Sequence, residues 1–133
     1  MIVDSSAIVA IIAAEPERQA FVEAILASDA PRMSAASLLE ASIVVDRLRD
    51  PVVSRRLDDL LDVLGIEIVP FTRAQADLGR TAYRDFGRGS GHPARLNLGD
   101  CFTYALARET GESLLFKGDD FGHTDVTRAV PQT

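Results

Sequence analysis

Four short runs constrain what this chain can fold into: Met1-Ile2-Val3, Arg32-Met33-Ser34, Ile66–Val69 and Leu114-Leu115-Phe116. Each is of strand length, and the stretches between them carry apolar residues at helical spacing. Short buried strands that alternate with helices give an α/β domain, with a mostly parallel sheet and helices on both faces. Four such strands are expected, with a fifth at the sheet edge if Val126 to Val130 pairs.

The helical segments have recognisable boundaries. Ala7 to Ala14 reads as a helix, and Pro16 suits the first turn of a second one carrying Phe21, Val22, Ile25 and Leu26 inward. Ala35 to Arg49 repeats Leu39, Ile43, Val44 and Leu48. Asp50-Pro51 is a helix start, with Asp as the cap and Pro in the first helical position. Thr72 caps a helix to about Phe86, and Leu98 to about Thr110 forms the last, closed by Gly111. Between these two lies the Gly-rich loop Gly87 to Pro93. The 133 residues have room for one domain with a core, 1–133, and none for a second.

Composition excludes several classes. No apolar run reaches the roughly 18–20 residues of a membrane span. The apolar opening is broken by Asp4 and lacks a basic lead, so it does not read as a signal peptide, and a cytoplasmic location is expected. Cys101 is the single cysteine, which leaves neither a disulfide framework nor a thiolate metal site. The net charge of −6 argues against a nucleic-acid partner, yet the stretch from Arg73 to Arg95 holds five Arg against Asp77 and Asp85. Arg suits phosphate because its planar fork binds two oxygens at once. An Arg-rich genome explains the same bias, so charge does not decide the question of RNA.

Open α/β sheets place their sites at the carboxyl ends of strands. Asp4 follows the first strand directly, Asp119 and Asp120 follow Leu114–Phe116, and Glu40 lies one to two turns into the helix after Arg32–Ser34. Asp100 sits in the first turn of the helix before Leu114–Phe116. Each acid singly has a structural role open to it. Asp4 can cap a helix, Glu40 can close a capping box with Ser37, Asp100 complements a helix dipole, and Asp119 and Asp120 suit a turn. Jointly, carboxylates on one strand end raise each other's pKa, and a divalent cation removes that conflict. Mg²⁺ and Mn²⁺ prefer such hard oxygen donors, and no His or Cys cluster offers a zinc site. The chemistry such a cation supports is phosphodiester hydrolysis.

The opening Met-Ile-Val-Asp4-Ser5-Ser6-Ala7, then Ser37-Leu-Leu-Glu40-Ala, Asn97-Leu-Gly-Asp100-Cys and Leu114-Leu-Phe-Lys-Gly-Asp119-Asp120-Phe121 occur in that order over nearly the whole chain. Together they resemble the acidic motifs of PIN-domain ribonuclease toxins of the VapC family, the toxin half of VapBC toxin–antitoxin pairs. The resemblance implies a three-layer α/β/α PIN-like domain and a Mg²⁺- or Mn²⁺-dependent endoribonuclease acting on tRNA or rRNA. It further implies homodimers and a cognate VapB-like antitoxin that blocks the site. Asp4, Glu40 and Asp100 match the first three family acids, with Asp4 and Asp100 as direct metal ligands. Many relatives separate the last two acids by one residue. Here they are adjacent, so Asp119 is assigned as the fourth and Asp120 is its rival. Ser6 matches a small hydroxyl residue that supports the first Asp by hydrogen bonding.

Other readings stay open. A PIN-like domain without catalysis would serve as a binding scaffold, although all four acids are present. A phospho-receiver would use Lys117 but needs an acceptor Asp on the central strand, and Ile66–Val69 ends on Pro70. A haloacid-dehalogenase phosphatase needs a second Asp two positions after Asp4, where Ser6 stands. His92, His123 and the Arg73–Arg95 segment are candidate phosphate contacts or plain surface, and Cys101 reads as core. The apolar stretches Ala7–Ala14 and Ile43–Val45 exceed one helix face, which suits extra core, a dimer contact or an antitoxin helix.

Overall fold

A computed structural model describes residues Met1–Pro131. Among them run, in order, β1 (Ile2–Val3), α1 (Ser5–Ile12), α2 (Arg18–Ala27), β2 (Arg32–Ser34), α3 (Ala35–Asp46), α4 (Pro51–Val63), β3 (Glu67–Val69), α5 (Arg73–Phe86), α6 (Leu98–Thr110) and β4 (Leu114–Leu115). A 3-10 turn, Asp120–His123, follows β4. The strands form one parallel sheet in the order β3-β2-β1-β4. Ile2 is in register with Arg32 on one side and Leu114 on the other, and Met33 with Ile68.

Strand alternation sorts the core into two layers. Val3, Met33 and Leu115 point to one face, where they pack with Ile8, Ile11, Phe21, Ile25, Val45 and Leu57 from α1 to α4. Ile2, Leu114 and Phe116 point to the other, against Ala82, Leu96, Tyr104, Leu106 and Phe121. Because successive side chains of a strand point to opposite faces, runs of only two or three residues serve both layers at once. The architecture is therefore the three-layer α/β/α arrangement that the alternation of elements suggested.

Local chemistry sets most helix starts. Asp4 caps α1 by accepting from the Ser6 amide at 3.0 Å, so this helix begins at Ser5 rather than at Ala7. Ser34, not Ser37, caps α3, and the capping box open to Glu40 does not form. Asp50 caps α4 through the Val52 amide at 3.0 Å, with Pro51 in the first position. α2 begins at Arg18, two residues after Pro16. At α6, Asn97 and Asp100 exchange side-chain-to-backbone bonds of 2.9 and 3.0 Å, and Gly111 closes the helix at φ 71° in the left-handed region.

The segment from Val126 to Val130 does not make a full fifth strand. It makes one parallel bridge to β4, with the Leu114 amide donating to Thr127 and the Ala129 amide donating to Leu114, both at 2.8 Å. The bridge shields the outer edge of a two-residue strand, and no longer pairing is available to so short a partner. The chain runs from β1 outward through β2 to β3 and then returns to place β4 on the other side of β1. The sheet thus changes direction between β1 and β4, and the crevice at their carboxyl ends is where such sheets put ligands.

Candidate active site

Asp4 stands at that crevice because β1 ends on it and its amide still donates to Leu115 on β4 at 3.0 Å. Its side chain is 3% exposed, and both carboxylate oxygens have a protein partner. Oδ2 accepts from the Ser6 amide at 3.0 Å, and Oδ1 accepts from the Thr103 hydroxyl at 2.6 Å. Thr103 is in turn 2.9 Å from the hydroxyl of Ser37, and all three side chains are buried. The support expected from the Ser6 hydroxyl comes from its backbone amide instead. The Ser6 Oγ accepts from the Lys117 amide at 3.0 Å and so ties the start of α1 to the end of β4.

Glu40 reaches the same place from the second turn of α3. Its Oε1 accepts a hydrogen bond from the Ser5 hydroxyl. Its carboxylate also lies against α6 at Gly99, where a Cβ would overlap it. Gly99 is thus the residue that lets α3 bring an acid next to Asp100, its neighbour in sequence.

Asp100 is partly buried. Burial pushes its carboxyl up from the ordinary 3.8 to about 7, opposed by the hydrogen bond from the Asn97 backbone and aided by the negative charges of Asp4, Asp120 and Glu40. A carboxylate that retains its proton near neutrality is a group the fold strains electrostatically. Asp120, in the first turn of the 3-10 segment after β4, is one of the acids whose charge raises Asp100, and Asp119 stands just before that segment.

The other residues singled out in the sequence resolve as follows. Lys117 pairs with Glu15, and with Glu17 at 3.4 Å, both on the turn between α1 and α2. Its ion pairs are therefore with acids at the rim, in a shallow pocket that Glu40, Ser5 and Ser6 also line. The His92 ring stacks edge-on against Phe86 at 4.8 Å, and its Nδ1 accepts from the Ala94 amide at 3.1 Å, which makes it a loop-shaping residue. His123 is exposed at the end of the 3-10 turn. Burial, then the charge of Asp100, raises the Cys101 thiol to about 11, so it packs as a neutral side chain. In the Arg73–Arg95 segment, Arg73 pairs with Asp77 at 3.3 Å and Arg84 with Asp85 at 3.1 Å on the exposed side of α5. Ala7, Ile8, Ala10 and Ile11 of the first stretch are core, but on α3 Leu39 (62% exposed), Ile43 and Val44 face outward near Glu40, and Leu48 is exposed just past the end of the helix.

From the sequence, Ser5, Gly99 and Thr103 have no assigned role, and Ser37 figures only as a helix cap. Thr103 carried a signal: it is a hydroxyl among Cys101, Tyr104, Ala105, Leu106 and Ala107, on the same helix face as Asp100 three residues earlier.

The acids present only oxygen donors. Among the described residues no group of three or more His, Cys, Asp or Glu side chains is disposed to hold a metal ion together. Mg²⁺ commonly takes one or two carboxylates and retains several waters, so the donor chemistry fits a water-rich hard cation and not zinc.

Comparison with known proteins agrees with this architecture. The PIN domain family model matches residues 1–126. Ribonuclease VapC28 of Mycobacterium tuberculosis is 55% identical over 130 residues, covering 98% of each chain. Ribonuclease VapC42 of the same organism is 53% identical over 129 residues, covering 97% of this chain and 98% of its own. Among solved structures, Mycobacterium tuberculosis VapC20, described as a sarcin-ricin loop cleaving toxin, superposes with a TM-score of 0.74 at 16% identity over 98% of both chains. A toxin–antitoxin complex from Klebsiella pneumoniae gives 0.73 at 14% identity over 97% of both. At such low identity these two structures speak to the fold alone. The family-model match and the identity to two VapC ribonucleases along almost the full length are decisive: the chain belongs to the PIN-domain family and, within it, to the VapC ribonucleases.

Proposed function

We propose that the crevice between β1 and β4 is the active centre of a Mg²⁺- or Mn²⁺-dependent endoribonuclease toxin that hydrolyses a phosphodiester bond in tRNA or rRNA. The observation that carries this reading is the position of Asp100, driven up to about 7 by burial and by the charges of Asp4, Asp120 and Glu40. Carboxylates that penalise one another this way are stabilised by a divalent cation. Asp4 and Asp100 are the direct ligands, from the end of β1 and the start of α6. When bound, the cation would neutralise the acids and supply electrostatic stabilisation for charge developing on a phosphoryl oxygen. Glu40, held by Ser5, orients the attacking water and accepts its proton. Asp119 or its rival Asp120 completes the set, and the charge of Asp120 reaches Asp100.

The partners belong to the same reading. An antitoxin and a second copy of the chain are the binding partners, and the outward Leu39, Ile43 and Val44 of α3, with Leu48 just beyond it, suit an amphipathic helix laid beside the acids. A phospho-receiver is disfavoured by the PIN-domain match over residues 1–126, not by β3, which is an edge strand, since the interior strand β1 itself ends on Asp4. No helix of the described residues is long and apolar enough to cross a membrane; a cytoplasmic location belongs to the proposed reading as an enzyme acting on tRNA or rRNA.

The test is cleavage of pooled tRNA and ribosomal RNA with Mg²⁺, with Mn²⁺ and with EDTA, wild type beside Asp100→Asn. Discrete cuts that need the cation and vanish in the variant support the proposal. Equal cutting by the variant, or cutting in EDTA, refutes the site.

A further inference from the structure

We infer that Thr103, backed by Ser37, is a positioning residue that fixes the orientation in which Asp4 meets its ligand. This rests on the reading of Asp4 as a metal ligand. A hydroxyl has one proton to give, and Thr103 gives it to Asp4 Oδ1 at 2.6 Å. The 2.9 Å contact with Ser37 must therefore run the other way, with Ser37 donating to the Thr103 oxygen. The result is a directed chain from Ser37 on α3 through Thr103 on α6 to Asp4 at the end of β1. All three members are buried, with Ser37 at 0% and Thr103 at 1% exposure, so water does not substitute for either hydroxyl.

Asp4 is held at two points that do not share an oxygen. The Ser6 amide holds Oδ2 along the chain, and Thr103 holds Oδ1 from a helix ninety-nine residues away. A carboxylate gripped by one bond can still swing about its own axis. Gripped by both, it has its plane set, and its remaining lone pairs keep a constant direction. The same chain ties α3, which carries Glu40, to α6, which carries Asp100, through side chains that meet at Asp4. The hydroxyls thus set the mutual placement of three acids contributed by three separate elements. Partners that orient a ligand in this way commonly govern about 10–100-fold in metal affinity or activity.

Three variants test the inference: Thr103→Val keeps the shape and removes the hydroxyl, Thr103→Ser restores it, and Ser37→Ala removes the far end of the chain. In crystals of Thr103→Val the Asp4 carboxylate should leave its position. Mn²⁺ binding, followed by electron paramagnetic resonance, should weaken by about 10-fold or more. In RNA cleavage kcat should fall while KM stays near the wild-type value, and Thr103→Ser should recover both affinity and kcat. If Asp4 stays in place and Mn²⁺ affinity is unchanged in Thr103→Val, the inference is wrong. It is equally wrong if Thr103→Ser is as impaired as Thr103→Val, since packing would then be the cause. Should Thr103→Val not fold, Ser37→Ala decides: a smaller loss of Mn²⁺ affinity in the same direction supports the chain, and an unchanged affinity overturns it. Failure of the wild type to bind Mn²⁺ would defeat the proposed function instead, and the position of Asp4 in the Thr103→Val crystal would still decide the role of Thr103.

Discussion

Gly99 and Glu40 are packed so closely that no side chain fits between them: a Cβ at position 99 would overlap the Glu40 carboxylate. The backbone at Gly99 is ordinary helix, so the constraint is space and not conformation. A helix N-terminus and an acid from another helix meet there because one residue lacks a side chain.

Gly99→Ala should therefore separate stability from activity. The helix preference of alanine over glycine, up to about 1 kcal/mol in a helix interior, is opposed by displacement of the Glu40 carboxylate, so the melting temperature should change little or fall slightly. Cleavage should fall by about 10-fold or more, as expected when an orienting group is displaced. Thermal melts and initial rates on one RNA check both halves. Unchanged cleavage would mean that Glu40 does not act from its observed position.

The raised carboxyl of Asp100 gives a signed dependence of stability on pH. The folded protein binds this proton up to about pH 7, whereas the unfolded chain releases it near 3.8. The folded state thus holds more protons between these values, and the contribution of Asp100 to stability declines as pH rises from about 4 to about 7, then levels off. Asp100→Asn keeps an oxygen for the Asn97 cap bond and removes the titration. Denaturant unfolding from pH 4 to 8 in EDTA should show the variant gaining on the wild type across this range, and added Mg²⁺ should close the gap at pH 7.5.

Asp119 and Asp120 are separable by mutation. Asp120→Asn should lower the Asp100 pKa, read by carbon-detected NMR of the carboxyl, and reduce cleavage strongly. Asp119→Asn, compared in the same two measurements, should change both less if Asp120 is the fourth acid. The reverse pattern would make Asp119 the fourth acid.

In the core, Leu115 is 1% exposed and packs from β4 against the α1–α4 layer. Leu115→Ala should destabilise the protein by about 2–5 kcal/mol, the cost of a buried leucine and the cavity it leaves. Urea unfolding measures this directly.

How far the sequence reveals all this depends on the range of the interactions. The strands at Ile2–Val3 and Leu114–Leu115 were legible because residues buried on both sheet faces read as continuous apolar runs. α4, α5 and α6 were legible from Asp50, Thr72 and Asn97, whose cap bonds are local. The first turn of α1 is hard to read because Ser5 and Ser6 favour turns over helix interiors, and only the cap bond of Asp4 fixes the start at Ser5. The acids were visible because carboxylates at strand ends are chemically conspicuous. Their supports were not, because Thr103 meets Asp4, Ser5 meets Glu40 and Gly99 yields to Glu40 only after α3 and α6 have packed on β1. No spacing along the chain encodes those contacts.

The most direct test of the acid site is a crystal of the wild type soaked in Mn²⁺, with anomalous scattering collected at the manganese edge. The expected result is a peak in the crevice between β1 and β4, bounded by Asp4 and Asp100 and absent from Asp100→Asn crystals. A folded wild type that shows no peak there at saturating Mn²⁺, or a peak unaffected by Asp100→Asn, would contradict it.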